Sequence, residues 1–330
     1  MIAYLLRSVA QAIVVMFAVA LLAFAMFRFV GDPVSSMVGQ EASVQDRAEL
    51  AQRLGLNDPI PIQFGNFVLA IARGDFGMSY RQARPVADLL REKLPATVEL
   101  ALLSSIFALV MGLLLGVYAA INRRGILANA VMSISLIGVS LPTFLIGIGL
   151  IYLFAVELRW LPSFGRGDVV KFGWWSTGLL TESGRKSLIM PALTLGFYQI
   201  TLVMRLVRAE MLEALRTDYV KFARARGIPE RSVRFRHALR NTMIPVTTIA
   251  GLQFGSVIAF AIVTESVFQW PGLGSLFVQA VQFVDIPVMA AYLMVVALIF
   301  VTINTLVDLL YIAVDPRLRA QGGLGGAHGR

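Results

Sequence analysis

Residues 208–245 read R-A-E-M-L-E-A-L-R-T-D-Y-V-K-F-A-R-A-R-G-I-P-E-R-S-V-R-F-R-H-A-L-R-N-T-M-I-P, a basic segment set between two long apolar runs. Met211, Leu215, Tyr219 and Phe222 recur at steps of four, four and three, which predicts an amphipathic helix with one apolar stripe. Such a stripe needs a surface to pack against. Gly227 stands where a left-handed residue closes a helix, Ile228 follows, and Pro229 opens the next helix with Glu230 in its first turn and Arg240 near its last. The segment reads as a helix-turn-helix rigid enough to transmit force. Apolar runs anchor it at both ends, so it cannot enter a nucleic-acid groove, and no nucleic-acid partner is expected.

Outward from this loop the chain is apolar. Of its 330 residues, 57% are hydrophobic and 15% charged, with a mean hydropathy of +0.74. A soluble domain keeps about a quarter of its residues charged, so an ordinary soluble enzyme is excluded and the chain belongs in lipid. Runs long enough to cross about 30 Å of hydrocarbon fall at about 9–30, 96–121, 130–156, 188–207, 244–264 and 288–312, giving six spans. Arg7 followed by an apolar run and Ala18-Val19-Ala20 imitates a signal peptide, but the run continues to Val30, longer than a signal core.

The basic residues favour one side by the positive-inside rule once the long 31–94 segment, whose seven basic residues are balanced by eight acids, is set aside. Five basics between spans three and four run against it. Sixteen Lys and Arg lie on the side of the termini, ten of them between Arg205 and Arg240, against five in the two short opposite loops: Arg159, Arg166, Lys171, Arg185 and Lys186. Both termini are therefore expected in the cytoplasm and the chain in the bilayer as a multi-pass protein.

Four parts follow: an N-terminal transmembrane helix (1–30), an extracytoplasmic helical domain (31–94), a five-helix core (95–313) that includes the cytoplasmic loop 208–245, and a partly disordered cytoplasmic tail (314–330). Within 31–94, helices are expected over Asp46–Leu56, over a stretch carrying Ile62, Phe64, Phe67, Val68 and Ile71 and ending at Gly74, and over Pro85–Lys93.

Transport needs an energy source, and each source leaves its own residues. None of the four lysines follows a glycine, so the phosphate-cradling G-x-x-x-x-G-K-[ST] loop is absent and the chain is no ATPase. Glu99 and Glu265 lie near span ends and Asp308 in the last turns of the sixth span, which leaves no midplane proton relay. Asp75-Phe76-Gly77 imitates the kinase tripeptide without its companion motifs and reads as a turn. Zero cysteines and two histidines, His237 and His328, leave little for a metal, and no catalytic constellation is present.

Inside the spans, Gly138, Pro142, Gly147 and Gly149 interrupt the third, and Pro191 and Gly196 the fourth. Gly112/Gly116 and Gly251/Gly255 form G-x-x-x-G pairs that let helices approach. Gln199, Gln253 and Asn304 are uncharged polar residues at membrane depth, candidates for a hydrated translocation path or for bonds between helices.

The loop resembles the EAA loop of ABC-importer permeases in its peptide-transport form, through D-Y-V-K-F-A-R-A-R-G at 218–227 and R-H-A-L-R-N-T-M-I-P at 236–245. Other segments are similar to the B-type permease of dipeptide and oligopeptide importers: G-D-P at 31–33, L-G-L-N-D-P at 54–59, G-D-F-G at 74–77, L-P-A-T-V-E-L at 94–100, P-A-L-T-L at 191–195 and E-S-V-F-Q-W-P-G-L-G at 265–274. Lys221 stands where the motif's namesake glutamate would be, and Phe222 replaces its first alanine. The resemblance implies an all-α, polytopic, six-helix type I ABC-importer permease in the bacterial inner membrane, with a small extracytoplasmic helical domain between spans one and two. It implies a non-catalytic subunit that pairs with a second homologous permease. Two cytoplasmic ATPase subunits would carry the ATP and Mg, and an extracytoplasmic binding protein would deliver dipeptides or short peptides, with glutathione, a nickel chelate or another small solute as alternatives. It also implies that Asp218, Tyr219, Phe222, Ala223, Ala225 and Gly227 couple this chain to the ATPases. A stand-alone transporter or channel is the competing class, separable by nucleotide dependence of uptake.

Overall fold

In the computed structural model the described residues are 2–29 and 56–314, with residues 43, 45, 48, 49 and 52. Ten helices follow in order among them: α1 (Ile2–Phe29), α2 (Ile60–Ala72), α3 (Val86–Ile121), α4 (Ile126–Ser140), α5 (Thr143–Glu157), α6 (Glu182–Ala214), α7 (Asp218–Ala225), α8 (Glu230–Val267), α9 (Leu273–Gln282) and α10 (Ile286–Val314). Between α5 and α6 a short antiparallel hairpin, β1 (Val170–Phe172) with β2 (Trp175–Thr177), pairs Phe172 with Trp175; the sequence reading does not contain it. Among the described residues five helices are long and apolar enough to cross a membrane, over Ser8–Phe29, Val86–Ile121, Glu182–Ala214, Glu230–Val267 and Ile286–Val307, and α4 with α5 makes a sixth span if the pair counts as one.

The stretch expected as the third span is broken rather than straight. α4 and α5 meet at 109°. Pro142 caps α5 in an extended conformation (φ −57°, ψ 138°). It also keeps Leu141 out of the helical region, so the helical ladder cannot run through.

The separate helix expected over Pro85–Lys93 is not observed, because α3 passes straight through Pro95 as one 36-residue helix. Val86, Leu89 and Leu90 are buried against Leu273, Leu276, Val288 and Tyr292. At about 1.5–3 kcal/mol for each buried aliphatic side chain, that packing exceeds the roughly 3 kcal/mol cost of an interior proline. The preceding helix α2 also spends its apolar face on the bundle: Phe64 packs edge-on against Phe17 and Phe24 at 5.5 Å, and Phe67 against Phe27 at 5.5 Å. Most of the helix expected at Asp46–Leu56, and residues 315–330 of the tail, lie outside the described residues.

The small residues set helix spacing as expected. A Cβ on Gly112 would come within 2.8 Å of Val203, and one on Gly116 within 2.7 Å of the Met204 carbonyl, so α3 and α6 meet nearly backbone to backbone. Gly251 and Gly255 press in the same way on Val307 and Phe300 of α10.

Candidate functional site

The stripe expected to run along a single helix from Met211 to Phe222 is divided between two. α6 ends at Ala214 and the chain turns through Leu215–Thr217, with the Thr217 hydroxyl donating to the open Ala214 carbonyl at 2.6 Å. Met211 is fully buried among Val117, Val207 and Val246. In α7 the buried residues are Val220 and Ala223, which pack with Val233, Leu215 and Ile228. Tyr219 and Phe222 sit on the other side, Phe222 at 64% exposure, and Asp218, Ala225 and Gly227 are exposed as well. The apolar residue that the stripe would have buried is thus the most exposed ring of the loop.

The end of α7 is closed as its sequence predicts. Gly227 has φ +72°, its N–H donates to the Arg224 carbonyl at 2.9 Å, and the Ile228 N–H reaches back to the Ala223 carbonyl at 3.2 Å. These are the two bonds of a Schellman closure, with Ile228 packed on Ala223 beneath it. Arg224 then holds Glu230 of α8 at 2.7 Å. Tyr219 ties the two helices, its hydroxyl donating to the His237 carbonyl at 3.3 Å and accepting from Asn241 at 3.0 Å. Lys221 bonds Asp218 at 2.9 Å and holds that carboxyl below its ordinary range. The product is a braced helix between two spans, presenting Phe222, with the Arg226 guanidinium 5.8 Å from its ring.

The three candidate path residues are placed differently from one another. Gln199 is buried in the α3–α6 seam, where it accepts from Ser105 at 3.4 Å and donates to the Leu195 carbonyl at 3.5 Å. Gln253 is half-buried on α8. Asn304 lines a groove of about 560 Å³ between α1 and α10 with Ser8, Gln11 and Thr305, and its Oδ1 is buried without a partner. Among the described residues no group of three or more His, Asp or Glu side chains is arranged to hold a metal ion.

At the opposite end of the bundle stand polar locks that sequence reasoning missed. Glu265 accepts from Thr97 Oγ1 at 2.5 Å and from the Ser275 N–H at 2.9 Å, while Thr97 Oγ1 takes the Leu273 N–H at 2.7 Å, so the two side chains together satisfy the start of α9. Trp270 is fully buried and donates from Nε1 to the Ala96 carbonyl at 3.0 Å. A Cβ on Gly272 would overlap the Glu265 carboxylate. Glu99 pairs with Arg166 at 2.5 Å, both nearly inaccessible, and accepts from Thr177 and from the Gly178 and Leu179 N–H groups, which pins the hairpin to α3. Ser79 and the Tyr80 N–H hold Asp285 in the α9–α10 turn. The available signal was a carboxylate at a span end, which must be paired when buried.

Residues 112–320, which include the whole α7 unit, match the family described as binding-protein-dependent transport system inner membrane component, and residues 1–101 match the N-terminal region of that component. The chain belongs to this family. Its relatives extend over nearly its full length. This membrane component is 37% identical over 332 residues to the dipeptide transport system permease protein DppB of Alkalihalophilus pseudofirmus, covering 97% of this chain and 100% of the relative. It is 39% identical over 335 residues to the di/tripeptide transport system permease protein DppB of Pseudomonas aeruginosa (97% and 100% covered), and 37% identical over 320 residues to the glutathione transport system permease protein GsiC of Shigella flexneri (97% and 99%). In fold it is similar to a chain of the MetNI methionine ABC transporter solved in inward-facing conformations. Two crystal forms give TM-scores of 0.54 and 0.56 at 20% identity, over 69% of this chain and 96% of that one. The membrane component is thus a mostly helical, multi-span transport permease, of a family of transport subunits rather than enzymes.

Proposed function

We propose that this chain forms half of the translocation path of an ATP-driven importer of dipeptides or short peptides, and that α7 is its coupling helix. The observation that carries the proposal is the α7 unit. A short helix is closed by a Schellman motif at its C-terminal end, braced on α8 and joined directly to two spans, yet it turns outward an aromatic ring that the described residues leave uncovered. Cytoplasmic ATPase subunits would seat Phe222 and Tyr219, and their ATP-driven motion would reach α6 and α8 as a rigid tilt. A second homologous permease and an extracytoplasmic binding protein complete the assembly, with ATP and Mg held by the ATPases and both termini in the cytoplasm. Gln253 and Asn304, both only half-buried, are the candidate path residues with support, Asn304 lining the groove between α1 and α10. Gln199 has its polar atoms engaged between helices.

The relatives named for dipeptides and di/tripeptides support a peptide substrate, and the one named for glutathione, itself a tripeptide, supports the same chemical class. Exchanging Phe222 for glutamate tests the coupling role, because the ring is exposed and lies outside the packed cluster of Val220, Ala223 and Val233. The variant should insert and remain as stable as the parent, yet lose co-purification with the ATPases and ATP-dependent uptake. Retention of both would refute the role of α7. A binding screen of short peptides and glutathione against the cognate binding protein separates the substrates.

A further inference from the structure

The segment between α5 and α6 carries exposed aromatic residues that neither the coupling role nor the path uses. Trp160 and Trp174 are each 64% exposed, Phe172 59% and Phe164 53%, with Leu180 of the same segment at 60%. They are held on a rigid mount. Arg166 bonds Ser176 Oγ at 2.9 Å and the Ser176 carbonyl at 2.7 Å while paired to buried Glu99, and the Gly165 N–H donates to the Phe268 carbonyl at 2.9 Å. Exposed tryptophan and phenylalanine on a fixed hairpin lose little conformational entropy on contact, so the cluster is preformed for a partner.

The mount fixes its height. Counting back the roughly 20 residues that cross 30 Å of hydrocarbon from Ile121, the last residue of α3 before Arg123 and Arg124, reaches about Leu102, one turn short of Glu99, to which the hairpin base is bonded. The same count along α6 from Arg205 reaches about Arg185, next to Lys186. Two independent spans therefore put residues 158–181 at the level of the headgroups. Tryptophan, with an apolar ring and one N–H donor, favours that level, and Arg159 and Lys171 add cations suited to lipid phosphates.

We infer that the hairpin tip, Phe172 and Trp174 above all, with Trp160 and Phe164 of the same segment, inserts into the headgroup and acyl boundary of the leaflet remote from α7 and anchors the α5–α6 connection there. The occupant is lipid. The inference rests on the chain being a multi-span membrane protein but not on which side is cytoplasmic, so it stands or falls separately from the topology and from coupling.

Full-length chain in vesicles of phosphatidylethanolamine and phosphatidylglycerol tests it, with a fraction of the lipid brominated either near the carbonyl end of the chains or near the methyl end. The parent and Trp174→Phe, which keeps an apolar ring and the fold, are compared. Tryptophan emission should be quenched more by the shallow bromines, and Trp174→Phe should lose part of that lipid-quenchable emission while acrylamide quenching stays unchanged. Loss of an acrylamide-quenchable component instead would put the tip in water and overturn the inference. Emission from position 174 quenched by neither agent would mean a protein cover and overturn it equally. Should Trp174→Phe misfold, a spin label on Lys171→Cys, clean in a chain without cysteine, gives the same decision: greater collision with oxygen than with a water-soluble nickel chelate supports insertion, and the reverse refutes it.

Discussion

Replacing Gly227 by valine should uncouple transport while leaving the bundle intact. An ideal Cβ at this position meets nothing within 4 Å, so the substitution brings no clash with neighbours and acts only through the backbone. The φ of +72° costs an L-residue roughly 1–2 kcal/mol, with a β-branched residue at the upper end. The alternative is to leave the left-handed region and give up the two closing bonds, from Gly227 to Arg224 and from Ile228 to Ala223. At about 0.5–1.5 kcal/mol for each such bond, the two routes cost about the same. Either is enough to fray or redirect an eight-residue helix whose buried side chains are Val220 and Ala223. It is too little to unfold spans that pack on one another well away from this turn.

A graded series isolates the cause. Asparagine tolerates the left-handed region and should behave nearly like glycine, alanine should be intermediate, and valine should be worst. Uptake and ATP hydrolysis are measured side by side in the complex reconstituted with its ATPases, with thermal unfolding of the purified chain as the control for folding. The expected result is an ordered fall in uptake, accompanied by loss of ATPase association or of substrate-stimulated hydrolysis, with the unfolding temperature constant. Normal transport by the valine variant, or asparagine failing as badly as valine, would refute the reasoning.

Other outcomes follow from the same geometry. Single cysteines at Ser43 and Ser183 should react with an impermeant thiol reagent in intact cells and one at Ser232 should not; labelling at 232 would reverse the orientation. Gln253→Leu should lower uptake with assembly unchanged, whereas Gln199→Leu, made within the α3–α6 seam, should act through stability and register in thermal unfolding before it registers in transport. Arg166→Met should destabilise by about 3–5 kcal/mol because Glu99 is left buried without its cation. The double variant with Glu99→Gln should recover part of that loss, and a double no better than the single would remove the pair from its structural role. Gly272→Ala should loosen the docking of α9, seen as faster amide exchange over 273–282, since its methyl would occupy the space of the Glu265 carboxylate.

The spans, the closure at Gly227 and the packing at Gly112 and Gly116 were legible because each is written in consecutive or closely spaced residues. Local signals gave wrong continuity at two places. Thr217-Asp218 is an ordinary helix start lying inside an apolar periodicity, and the periodicity was followed across it. Pro85 and Pro95 looked like the bounds of a short helix, and only contacts with Leu273 and Tyr292, nearly two hundred residues away, hold the chain helical through the second proline. The locks at Glu265 and Glu99 were illegible for the same reason. Their partners Thr97 and Arg166 stand 168 and 67 residues off, and nothing in the spacing pairs them.

This difference bears on how the family motifs should be interpreted. The stretch E-S-V-F-Q-W-P-G-L-G buries Glu265, Phe268, Trp270 and Leu273 and exposes the small or polar Ser266 and Gln269, so its large residues are accounted for within one chain by capping α9 and seating it on α3. The stretch D-Y-V-K-F-A-R-A-R-G buries only Val220 and Ala223 and exposes the larger Phe222. Internal packing would select small or polar residues at an exposed helix position, and an aromatic ring there is costly unless something outside the chain covers it. Exposure of the motif, rather than its presence, therefore separates the segment that holds this protein together from the one proposed to connect it to its motor.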